Sequence, residues 1–116
     1  MKKYRVPIFT EEYAINICIG TIKEIEKGAK SYGIKSDNLF SAHRGRAYNC
    51  FPDKLPFITI NGDLPAHMAL ATLAHEASHA IDYIIEYVGI NDRSGEFRGH
   101  GIAAVMRTVG RKILRN

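Results

Sequence analysis

Apolar positions along the chain fall into four stretches with different spacing. From residue 10, Tyr13, Ile17, Thr21 and Ile25 line one stripe at helical spacing. Thr10 offers a cap, and Glu11 and Glu12 an acidic first turn. The pattern predicts a helix over 10–31, stopped by Gly33. Residues 32–65 are punctuated by Gly33, Gly45, Pro52, Pro56, Gly62 and Pro65. Within them, residues 56–61 (PFITIN) read as the best strand, and residues 46–51 (RAYNCF) as a second. A turn at Pro52-Asp53-Lys54 would make these an antiparallel pair. From Pro65 to Val88 the helical period returns through Leu70, Leu73, Ala74, Ala77, Ile81, Ile84, Ile85 and Val88, with Gly89 as its stop. A last helix is expected from about Ser94 to Leu114. Its closing turns carry Arg107, Arg111, Lys112 and Arg115, cations suited to a helix C-terminus. The expected order is α-β-β-α-α with a short antiparallel sheet, an α+β fold.

Length and composition narrow this further. The chain has 116 residues, 46% hydrophobic and 24% charged. These values fit one folded domain over residues 1–116 and exclude wholesale disorder. Asn16, Gly20, His75, Glu76 and Asp82 interrupt the apolar runs before membrane-spanning length, so a soluble protein is expected. The start, MKKYRVPIFTEEYA, lacks the long apolar stretch of a signal peptide. Cys18 and Cys50 have no CxxC spacing and read as two reduced, buried thiols of a cytoplasmic protein. The net charge of +4 mildly favours acidic partners.

The chemistry sits in residues 74–80, AHEASHA. Here HExxH lies within a helical stretch, so His75 and His79 share one face a turn apart and can grip one ion. Zinc suits a pair of imidazole nitrogens and an incomplete protein shell. Glu76, beside the first ligand, is placed to act as general base toward a metal-bound water. Shuffling this composition yields the pattern in about 1% of chains. The bland alternative is two hydrogen-bonded histidines on a half-buried helix. Burying three ionisable groups there without a partner would be costly. A third ligand must come from elsewhere, and Glu96, His100, Asp82, His67 and His43 are the candidates. Asp82 is short and better suited to accept a histidine N–H, or to be simply solvated. Glu96 and His100 stand four apart on one helix face, and the 89–95 connection lets that helix fold back on the first. His67 reads as a surface or cap residue. The cluster His43-Arg44-Gly45-Arg46 reads as a solvated loop that could also meet a carboxylate or phosphate.

The run from His75 to His79, then Gly89, then Glu96-Phe97 before an apolar helix, resembles a group of small phage-encoded HExxH zinc metallopeptidases. Their pattern is approximately HE-x-x-H, ten residues to a glycine, then EF-x-A-Y-x-I-Q. Gly89, Glu96, Phe97 and Ile102 match, while Gly99 and His100 stand where that group has alanine and tyrosine. The resemblance covers residues 73–109. It implies a zincin-like fold, a gluzincin-like zinc site of His75, His79 and Glu96, and His100 in place of the tyrosine that stabilises the oxyanion.

A second resemblance rests on Gly99-His100-Gly101 with Ala104, Met106 and Val109, and on the upstream segments 45–47, 58–61 and 73–76. It is to SprT-like (Spartan-like) proteases and would make His100 the third ligand. The spacing to His100 is longer than theirs, and the aromatic expected near Ala104 is missing. Both imply a zinc metallopeptidase acting on a protein or peptide in the cytoplasm, a host's if phage-encoded, with no membrane partner. Residues 57–61 would be an edge strand that holds the peptide. The competing expectation is a non-catalytic module with a structural metal or none. It would bind protein, or nucleic acid through Arg44, Arg46 and the C-terminal arginines. A DNA-associated protease would combine the two.

Overall fold

In the computed structural model, which describes residues 1–35 and 44–115, the first helix begins not at residue 10 but at Ile22. The stretch before it is a strand. Strand β1 (Lys2–Ile8) turns at Phe9 into β2 (Thr10–Gly20), and only then comes α1 (Ile22–Ser31). Residues 10–20 mimic a helix because β2 is covered on both faces: Ile15 and Ile17 pack toward one layer, Cys18 toward the other. A doubly covered strand loses its polar alternation, so period alone does not separate it from a buried helix. The β-branched run Ile15, Ile17, Ile19 is the strand signal. The cap of α1 is Thr21, whose hydroxyl accepts from the Glu24 N–H at 3.2 Å while the Glu24 carboxylate accepts from the Thr21 N–H at 3.0 Å. β1 hides behind Lys2, Lys3 and Arg5, although Val6 and Ile8 are buried.

Strands β3 (Gly45–Tyr48) and β4 (Phe57–Asn61) complete a four-stranded sheet in the order β1-β2-β4-β3. β3 and β4 form the expected antiparallel pair. The sheet as a whole is mixed rather than antiparallel, because β2 and β4 run parallel through α1. β4 is therefore an inner strand, with Ile58, Thr59 and Ile60 buried, and it is not the edge expected of it. That edge is β3. The observed order is β-β-α-β-β-α-α, still α+β, with α1 on one face of the sheet and the later helices on the other.

Helix α2 (Ala66–Val88) ends in a left-handed Gly89, as its sequence predicts. Helix α3 (Glu96–Val105) continues through a π-turn (Met106–Gly110) into the short α4 (Arg111–Arg115). Asp92 caps α3, accepting from the N–H groups of Phe97 at 2.9 Å and Arg98 at 3.2 Å. The α3–α4 rod runs back along α2, Gly101 beside Ile81 and Gly110 beside Leu70. At the first of these, a Cβ on Gly101 would lie 2.6 Å from Ile81 Cδ1 and 3.0 Å from Cγ1, and Ile81 is fully buried. Gly101→Val should destabilise the fold by about 3 kcal/mol, the upper end for overpacking. Adding Ile81→Val should recover part of it, since the two side chains collide. Additive losses in denaturant melts of the single and double variants would refute this contact. Among the described residues no helix is long and apolar enough to cross a membrane.

Candidate metal centre

Helix α2 buries Leu73, Ala77, Ala80, Ile81 and Ile84 against the sheet and α3. His75 and His79 stand on its outer rim, the side chain of His75 being 67% exposed. Their Nε2 atoms face each other at 3.2 Å, with the rings nearly perpendicular at 86°. Two nitrogens each about 2.0–2.1 Å from one ion, at a near-tetrahedral angle, stand about 3.2–3.4 Å apart. That separation matches the bite of two zinc ligands and is equally a hydrogen-bond distance between the two rings.

Glu76 points to the other side of the rim. Its side chain is only 13% exposed. Oε1 accepts a hydrogen bond from the Ala47 N–H of β3 at 3.0 Å, and Oε2 stands 3.9 Å from His75 Nε2. The pleat of β3 explains this. Arg44 O accepts from Asn61 N–H on β4 at 2.8 Å, so by alternation the Ala47 N–H points away from β4, toward α2. Gly45 permits the approach: a Cβ there would lie 2.6 Å from Thr59 O and 2.7 Å from Thr72 Cγ2. Further on, Phe51 stacks on Tyr87 with centroids 4.1 Å apart. The successive contacts Gly45–Thr72, Ala47–Glu76 and Phe51–Tyr87 show that the β3 edge and its connection follow α2 in the same direction.

The other sequence candidates lie elsewhere. Asp82 is bound by Arg98 through Nε at 2.9 Å and through Nη2, so it ties α3 to α2 rather than orienting a histidine. Glu96 is exposed in the first turn of α3. His100 meets Phe9 edge-on at 6.0 Å, and the same Phe9 stacks on Phe97 at 4.2 Å. Phe9 holds a left-handed φ of 66°, an unusual conformation for a bulky residue, and these ring contacts offset part of its cost. His67 is exposed at the start of α2, and His43 lies outside the described residues. Among the described residues no three His, Cys, Asp or Glu side chains come together as a metal-holding group. The structure unites His75, His79 and Glu76. It does not bring Glu96 or His100 into a third-ligand position. Of the sequence candidates for metal ligands, the structure pairs the ring nitrogens of His75 and His79 and brings no third to them among the described residues.

Two groups near the site escaped the sequence reading. The Ala47 N–H carries no sequence signal, being backbone. Tyr83 does: it lies seven residues after Glu76, on the same side of α2. Burial, and next the charge of Glu76, push its phenol pKa up. In comparisons with protein-family models, curated proteins and solved structures, nothing matches this chain.

Proposed function

We propose that this chain is a zinc-dependent peptide hydrolase, on the strength of one observation: two imidazole nitrogens 3.2 Å apart beside a carboxylate that the sheet edge holds in place. Zinc at the pair would supply an acidified water and a Lewis acid. Glu76, fixed at Oε1 by the Ala47 N–H, presents Oε2 toward the histidines and takes a proton there. The β3 edge, not β4, is the strand along which an extended peptide would lie. Glu96 as third ligand and His100 as oxyanion donor rest on the resemblance to the phage-encoded metallopeptidases alone, since neither joins the pair in this structure. Free Cys18 and Cys50 fit a cytoplasmic setting, a host's if the chain is phage-encoded.

The lack of a third donor at the pair among the described residues favours a second reading, a non-catalytic binding module. Zinc titration of metal-stripped protein separates the two. The enzyme reading expects one ion per chain, with affinity reduced more than about 100-fold by His75→Ala or His79→Ala. Comparable loss in Glu96→Gln identifies the third ligand, and in His100→Ala reassigns it. A folded chain that takes up no stoichiometric zinc would leave only the module.

A further inference from the structure

After Glu96 the sequence has no acidic residue, while Arg107, Arg111, Lys112 and Arg115 crowd its last ten positions. The sixteen basic residues of the chain less these four leave twelve, matching its twelve acidic ones. The whole excess of +4 is therefore equivalent to this one segment. All four residues are exposed, and none forms an ion pair or side-chain hydrogen bond among the described residues. Arg98, the remaining Lys or Arg after Glu96, lies before this segment and is occupied by Asp82.

The π-turn keeps the stripe straight. In an α-helix, residues four apart drift by about 40°. The wider π-turn takes that drift back, so Val105, Val109 and Ile113 remain on one buried line. Arg107, Arg111 and Arg115 then follow an outer line, stepping about 6 Å along the axis each time. Lys2, which lines the same cleft as Ile113, stands at this edge of the sheet, the opposite one from β3 with Arg46.

We infer that this outer face of the π-turn and α4 is a sequence-independent docking surface for the phosphate backbone of double-stranded DNA. Three of its four cations are arginines, whose planar fork pairs with phosphate oxygens. A step of about 6 Å is close to the spacing of every second phosphate on one strand, which offers a phosphate about every 3.4 Å of axis. A membrane surface fits less well: Val105, Val109 and Ile113 are committed to the core, which leaves the exposed Leu114 as a single large apolar side chain beside the cations, less than the apolar face an interfacial helix inserts. The inference does not depend on the metal site.

The test is fluorescence anisotropy of a labelled 20-base-pair duplex with the full chain, in EDTA, from 50 to 200 mM KCl. Four phosphate contacts give a slope of log K against log salt of about −3.6, or roughly a 150-fold loss over that range. The combined variant Arg107→Gln, Arg111→Gln, Lys112→Gln and Arg115→Gln should flatten the slope to between about 0 and −1. It should melt as the parent does, because these positions are exposed and glutamine is a good helix former. Arg44→Gln with Arg46→Gln should leave the slope unchanged. The surface is ruled out if the parent shows no salt-dependent binding, or if the fourfold variant keeps the parental slope. It is ruled out equally if the Arg44/Arg46 variant alone loses binding, or if the chain prefers phosphatidylserine vesicles to the duplex.

Discussion

Glu76→Gln should lower peptide hydrolysis by about 10²–10⁴-fold while zinc stays bound, the size of effect expected from removing a general base. The substitution is nearly isosteric. The glutamine Oε1 can still accept from the Ala47 N–H, so the β3–α2 junction survives. What is lost is the second oxygen, Oε2, which faces the histidines at 3.9 Å from His75 Nε2 and is the one free to take a proton. Turnover on an unstructured protein such as casein, zinc content and melting temperature should be read on one preparation. Loss of turnover with the other two unchanged is the expected result. A glutamine variant that hydrolyses at the parental rate would remove Glu76 from the proposed role. A chelator that leaves parental turnover intact would remove the metal as well.

Gly45→Val should be the most damaging single change outside the core. The new Cβ would lie 2.6 Å from the Thr59 carbonyl oxygen and 2.7 Å from Thr72 Cγ2, and the first of these is backbone that cannot swing aside. Either β3 leaves β4 or α2 leaves the sheet. A cost of about 3 kcal/mol follows from overpacking, which is roughly 10–20 °C in melting temperature for a domain near this size. The consequence for the site is specific. Once β3 shifts, the 3.0 Å bond from the Ala47 N–H to Glu76 breaks, and the carboxylate loses the one hydrogen bond it accepts among the described residues. Hydrogen exchange at the Ala47 amide should rise with the loss of stability. Parental melting with the amide still protected would show that Gly45 is not the spacer described here.

The two variants mark the boundary between what sequence and structure each supply. His75 and His79 were legible because their relation is local: four residues of helix fix their separation whatever the rest of the chain does. The same holds for Gly89, whose left-handed conformation stops α2, and for the β3–β4 pair, joined by a short turn-rich connection. Residues 10–20 were not legible. Their apolar spacing fits a buried strand and a helix alike, and only the layers laid on both faces of β2 decide for the strand. β1 was missed because the cations Lys2, Lys3 and Arg5 masked an alternation that Tyr4, Val6 and Ile8 complete.

The sequence by itself determined the histidine pair, its neighbouring carboxylate, the helices that begin and end around them, and the excess of positive charge at the C-terminal end. Each is a property of residues within a turn or two of one another. The tertiary structure alone decided that β3 rather than β4 is the edge, that Ala47 holds Glu76, that Asp82 belongs to Arg98, and that His100 rests against Phe9. Glu76 and Ala47 are 29 positions apart and His100 and Phe9 farther still. No local period encodes such meetings; they follow from how the layers close around a shared core.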